Sequence, residues 1–362
     1  LGAVAEPDTR ARKRPALTWV ISIVAGALLL WLASTEMELW PERLVLPRPA
    51  LLALAVALHV PYALVRALRL RYVLDPLVAR ADSTRTRLAP GLLYGSGLVS
   101  FFVVMVLPLR LGELSRPLIL ARDARPAIGL PESIGAVAAE RVVDGLMVVG
   151  MLFLGLAMAR PVPGSPELTE RLEYARWFGQ VMAIVFGVGL VGLGIAGAAP
   201  RRVAEPARAL VGLVSPSLGE RTHDAVVRIA SAIAPLYVLR QGIPFLAWTV
   251  VYWGITVGQL WLVLEACGLD FGLAEAAAIV AIVGLTIQLP GGPAQAGIFQ
   301  IGMIAALRLF SSSGAIDDAG SSFAALMYLL QLGGGGVLAL LGLLMLARAR
   351  PAGDVSETAA PR

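Results

Sequence analysis

About six stretches of this chain are apolar over roughly twenty residues each, the length an α-helix needs to cross the ~30 Å hydrocarbon core of a bilayer. They are Leu17–Ser34, Ala50–Leu68, Ser133–Ala159, Trp177–Ala198, Ile243–Ala266 and Phe323–Leu346. That core holds no water, so each segment must satisfy its own backbone amides and carbonyls, which a helix does and an open strand does not. The sequence therefore predicts an all-α polytopic membrane protein. Composition agrees: 57% of the 362 residues are hydrophobic and only 15% charged, against about 25% charged in soluble domains.

The charges that remain set an expected topology. Basic residues concentrate in Arg10–Arg14, in Arg66–Arg87, in Arg110–Arg125, in Ala199–Gly242 and at Arg348 and Arg350, while Thr35–Pro49, Arg160–Arg176 and Ser311–Ser322 carry no basic excess. By the positive-inside rule the first group is cytoplasmic, with both termini inside. A cleaved signal would have a shorter apolar core and a small-residue site, so Leu17–Ser34 is expected to be retained. Residues 1–16 form a basic N-terminus, 17–347 a single transmembrane domain and 348–362 a polar tail. Within 199–242, the stretch from Arg221 to Leu239 alternates at helical spacing and predicts an amphipathic helix on the membrane surface.

Two further apolar runs are short and stop at proline: Gly91–Leu107 before Pro108, and Gly272–Leu289 before Pro290, the latter followed by Ile298–Phe310. Each begins and ends on one predicted side, so each predicts a re-entrant helical hairpin. Matching interrupted segments in two halves point to inverted repeats (17–160 and 177–347) with a binding site between them. Ordinary kinked helix pairs, giving eight or more crossings, are the alternative.

Ionisable residues inside such a chain are costly and mark either function or an ion network. Arg110, Glu113 and Arg116 follow Pro108. Glu140 and Asp144 lie four apart on one face of the next helix, with Arg141 bordering it. Arginines beside a broken helix can clamp a phosphate; equally, Arg116, Arg122 and Arg125 fit residues that snorkel to headgroups. The second hairpin offers Gln288, Gln295 and Gln300 among Gly291, Gly292 and Gly297. His59 is expected to be a hydrogen-bonded interior residue, and Gly333–Gly336 a close-packing stripe. Cys267 stands alone, and His59 and His223 offer no metal-ligand spacing, so no metal and no cofactor is expected. There is no Walker loop and no nucleophile–histidine arrangement, and the spread arginines do not point to nucleic acid.

The motifs Leu107-Pro108-Leu109-Arg110-Leu111-Gly112-Glu113-Leu114-Ser115-Arg116 and Glu140-Arg141-Val142-Val143-Asp144 resemble the signature of the lysylphosphatidylglycerol synthase transmembrane-region, or flippase-like, family. Leu289–Gln300 resembles its later proline–glycine motif, and Leu64–Arg69 the arginine-rich end of its second helix. Ala294 replaces a common glycine and Gln300 a common glutamate, which puts proton coupling through the second hairpin in doubt. The resemblance implies a bacterial inner-membrane protein that moves a phosphate-bearing lipid, a phospholipid or a polyprenyl phosphate, between leaflets. Arg110, Arg116 and Arg141 would engage the phosphate, with Glu113, Glu140 and Asp144 orienting them, and Pro290, Gly291, Gly292, Gln295, Gly297 and Gln300 would line the opposite wall. Larger members add a catalytic domain that these residues do not resemble, so an enzyme is not expected. A non-catalytic subunit presenting lipid to a partner such as a glycosyltransferase, or an intramembrane lipid-modifying enzyme, are the other readings.

Overall fold

The computed structural model describes residues 9–81, 84–124, 126–159, 166–289, 291–310, 316 and 318–349. Among them the chain is helical throughout, with no strand. Among the described residues six segments are long and apolar enough to cross a membrane: Pro49–Ala81, Leu130–Met158, Glu173–Ala198, Leu239–Ala266, Pro293–Phe310 and Asp318–Ala349. Five contain or overlap an expected span. Pro293–Phe310 was expected to be one arm of a hairpin, and the expected first span, Leu17–Ser34, lies within α1 (Thr9–Ser34).

Proline sits in the first two positions of α2 (Pro49–Leu68), α4 (Pro90–Val106), α6 (Leu130–Met158), α8 (Pro200–Gly212) and α9 (Pro216–Ser231). Its missing N–H costs no hydrogen bond there. The expected loop after residue 68 is instead helix: α3 (Arg71–Ala81) continues α2 across a turn at Arg69 and Leu70. Both Arg69 and Leu70 are fully buried, so the chain is still inside the protein where the sequence placed it in cytoplasm.

Each proline-broken run folds back on itself. After α4, the 3-10 turn Pro108–Leu114 leads into α5 (Ser115–Asp123), which packs on α4. Gly112 permits this reversal, since a Cβ there would lie 2.4 Å from the Val103 carbonyl oxygen. The second run pairs α11 (Leu273–Thr286) with α12 (Ile298–Phe310) through a short 3-10 turn, Pro293–Gln295. At 1.5 Å per residue neither α11 nor α12 alone reaches ~30 Å.

The long helices pack through small residues, as membrane helices do. The crossing of α4 with α14 (Gly335–Ala349) brings Gly95 against Gly342, where an added Cβ would lie 2.8 Å from the opposing carbonyl oxygen. Similarly, α6 meets α11 at Gly155, and α2 pairs with α10 (Leu239–Ala266). By contrast α7 (Pro166–Ala198) is a peripheral helix with only 6% of its apolar window buried. A π-helical turn, Leu330–Gly334, joins α13 (Asp318–Leu329) to α14 and seats Gly334 against the His59 ring. The connection 199–242 differs from the expected single surface helix. It is two antiparallel helices, α8 and α9; α9 ends at Ser231 and docks on α6, where Gly135 approaches the Ile229 carbonyl.

Candidate functional site

Arg66, in the last turn of α2, and Arg69, the helical C-cap just beyond it, lie three residues apart and so share a face. That face looks into the protein. Arg69, with no exposed surface, stacks its guanidinium 4.6 Å from the centroid of Tyr252, and Arg66 lies 4.4 Å from that of Phe101. A ring face offers a cation part of what it loses on leaving water.

Arg69 is the hub of a buried ion network. Its guanidinium forks onto Asp144, donating to Oδ1 and, at 2.6 Å, to Oδ2, and it donates at 2.6 Å to Glu140 Oε1. Arg116 approaches from α5 and donates to the other Glu140 oxygen at 3.2 Å and to the Ala67 carbonyl at 3.1 Å. Arg116 is therefore 5% exposed and not a boundary residue reaching for headgroups. The i, i+4 spacing of Glu140 and Asp144 places both carboxylates toward Arg69, as their shared helix face implies. Trp253 donates its indole N–H to Asp144 at 3.2 Å.

A second tier of charge lies beside the first. Arg141 is 3.0 Å from Glu113 and 3.8 Å from Asp144. Arg110, at the tip of the first hairpin, pairs with Glu113 and reaches across to the second hairpin, donating to the Gln288 side-chain carbonyl and, at 3.1 Å, to the Ile287 backbone carbonyl. Arg110 has φ +58°. Among the described residues the other non-glycine residues with positive φ are Ala294 and Gln295, at the tip of the second hairpin. This conformation costs an L-residue roughly 1–2 kcal/mol, and such strain gathers where function requires it.

Between these tips and the long helices lies a cavity of about 200 Å³. Its charged lining is Arg66, Arg110, Glu113, Arg141 and Asp144; Tyr62, Tyr252, Trp253, Gln288, Gln295 and Gln331 add polar groups, and Val148, Phe186, Val283, Phe299 and Met303 supply apolar wall. The expected site residues thus divide. Arg110, Glu113, Arg141, Asp144 and Gln295 face the cavity, while Arg116 and Glu140 stand behind it and hold Arg69. Gly291, Gly292 and Gly297 do not line it. Gly292 packs against Gly26 of α1, where an added Cβ would lie 2.6 Å from the Gly26 Cα, and Gly297 (φ +81°) packs against Leu29. Gly291 closes on Ile298. Gln300 accepts the Gly297 N–H at 2.9 Å, a bond within the turn. Pro290 lies outside the described residues. Sequence reasoning missed Arg66 and Arg69 as site residues, although their i, i+3 spacing inside an apolar run was the available signal. His59 is buried, with Nδ1 3.3 Å from the Gln259 amide, as an interior residue should be.

Apolar helices of membrane-spanning length around a charged interior define a multi-pass integral membrane protein. Residues 19–331 match the family described as the lysylphosphatidylglycerol synthase TM region, and the chain belongs to that family. No curated protein and no solved structure matched the chain.

Proposed function

We propose that this protein moves a phosphate-bearing lipid between the leaflets of a bacterial inner membrane, with both termini cytoplasmic. The observation that carries the reading is the cavity itself. Three guanidiniums, Arg66, Arg110 and Arg141, line one space between two broken helical hairpins. Arginine offers paired N–H donors in a fixed fork that matches phosphate. Irregular backbone at membrane depth is tolerated where it faces protein or a water-filled cavity, and these hairpin tips do so. The two hairpins would then enter the membrane from opposite sides as inverted repeats, and the contact between their tips would part to let a headgroup pass. On this reading the lipid leaves chemically unchanged.

The test is mass spectrometry of lipids co-purifying with wild type, Arg110→Ala and Arg141→Ala, followed by a translocation assay in vesicles containing only this protein. A distinct phosphate lipid, lost in both variants and moved by wild type alone, is the expected result. A bulk-like lipid profile in all three proteins would overturn the reading. Binding without translocation would shift the function to presentation of lipid to a partner enzyme.

A further inference from the structure

The charges in and behind the cavity do not balance. Arg69, Arg110, Arg116 and Arg141 share three carboxylates, Glu113, Glu140 and Asp144, in the contacts described above. Glu113 serves both Arg110 and Arg141, and Glu140 serves both Arg69 and Arg116. Arg66 stands beside this network with no ion pair among the described residues, and its Nη1 is fully buried without a hydrogen-bond partner. Five guanidiniums face three carboxylates, leaving two positive charges over. Both surplus charges are directed to the cavity, through Arg66 and through the half-buried Arg110–Glu113–Arg141 tier, where a charge partly withdrawn from water favours a bound counter-charge.

From this we infer that the headgroup is dianionic: a phosphomonoester or diphosphate, not a phosphodiester. The inference rests on the phosphate-lipid reading above and narrows it. A phosphomonoester carries about −1.5 to −2 at pH 7, with its second pKa near 6. It has three terminal oxygens, enough to meet Arg66, Arg110 and Arg141 together. A phosphodiester carries one charge, so one of the two surplus positive charges would stay uncompensated. Arg66 is then the residue that distinguishes the two classes, since the other arginines already hold carboxylates. The apolar walls accommodate the first carbons of a lipid chain, which free phosphate lacks.

The experiment uses the full chain in nanodiscs of phosphatidylcholine, titrated with short-chain phosphatidic acid, phosphatidylglycerol of the same chains, and inorganic phosphate. At about pH 7.5 the monoester is expected to bind about tenfold or more tighter than the diester, the worth of one further charge-assisted contact. At about pH 5 the monoester holds its second proton, and the preference is expected to fall below about threefold. Glu113 and Asp144 face the same cavity, and the diester measured at both pH values carries any effect of their own protonation. Arg66→Gln, once its melting temperature confirms folding, removes the preference at the higher pH; Arg66→Lys, which keeps the charge, retains it at lower affinity. The wild-type pH arm tests the inference without any variant. Equal affinity for monoester and diester, both lost with Arg110→Ala, would overturn the dianion and leave lipid-phosphate transport standing. Lipids binding no better than inorganic phosphate would overturn both.

Discussion

Replacing Arg69 with methionine, similar in length and apolar, probes whether the ion network holds the fold. Arg69 has no exposed surface and makes three charge-assisted hydrogen bonds to two carboxylates. Without it Glu140 keeps Arg116 at 3.2 Å, and Asp144 keeps the Trp253 N–H at 3.2 Å and Arg141 at 3.8 Å. Neither carboxylate is stranded completely, so the loss should fall within the range for removing one partner of a buried pair, about 3–5 kcal/mol. At about 1–2 °C per kcal/mol for a chain of this size, the melting midpoint in detergent falls by about 3–10 °C. The diagnostic is the double variant. Arg69→Met with Asp144→Asn removes the carboxylate onto which Arg69 forks while Glu140 keeps Arg116 and Arg141 keeps Glu113, and should recover most of the loss, because the buried charges again balance. Differential scanning fluorimetry, with gel filtration to confirm a monodisperse protein, measures both steps. An Arg69→Met protein that melts like wild type, or a double variant worse than the single, would refute the argument.

Two substitutions at the second hairpin follow from backbone geometry. Ala294 has φ +58°; Ala294→Gly relieves about 1–2 kcal/mol of left-handed strain against about 0.5–1 kcal/mol of added chain entropy, so a small rise in the same melting midpoint is expected. Gly297→Ala does the reverse. Its φ is +81° and its Cβ would lie 2.3 Å from the Leu29 Cβ, so strain and overpacking together cost about 2–4 kcal/mol. Limited proteolysis between α1 and the tip should then show earlier cleavage than in wild type.

The membrane-spanning helices were legible because the bilayer leaves the backbone one solution, and long apolar runs state it directly. The helix breaks at Pro108–Gly112 and at Gly291–Gly297 were legible too, since proline removes a backbone donor and clustered glycines free the backbone. What those glycines approach was not legible: Gly292 and Gly297 meet α1, more than 250 positions away in the chain, and not a ligand. Arg69 was misplaced for a related reason. In a run of arginines that marks a cytoplasmic boundary, nothing local says which one turns inward, because its partners Glu140, Asp144 and Tyr252 come from α6 and α10. Arg116 followed the same course. Glu275, not singled out among the candidate residues, is 5% exposed, and one oxygen accepts the Gly272 N–H at 2.9 Å at the start of α11. A carboxylate at a helix start is a familiar local signal, and it was outweighed by position in the chain.

Arg110 holds two positions at once. It lines the cavity, and it ties the first hairpin to Ile287 and Gln288 of the second. On the function proposed above, a phosphate that recruits it must first release that tie, so the latch is subtracted from the affinity. If the latch is worth about 1–1.5 kcal/mol, occupancy is handicapped roughly five- to tenfold relative to a site already open. For a storage protein that would be a defect. For a carrier it sets turnover, because a cargo held no more firmly than the protein holds itself is one the protein can let go.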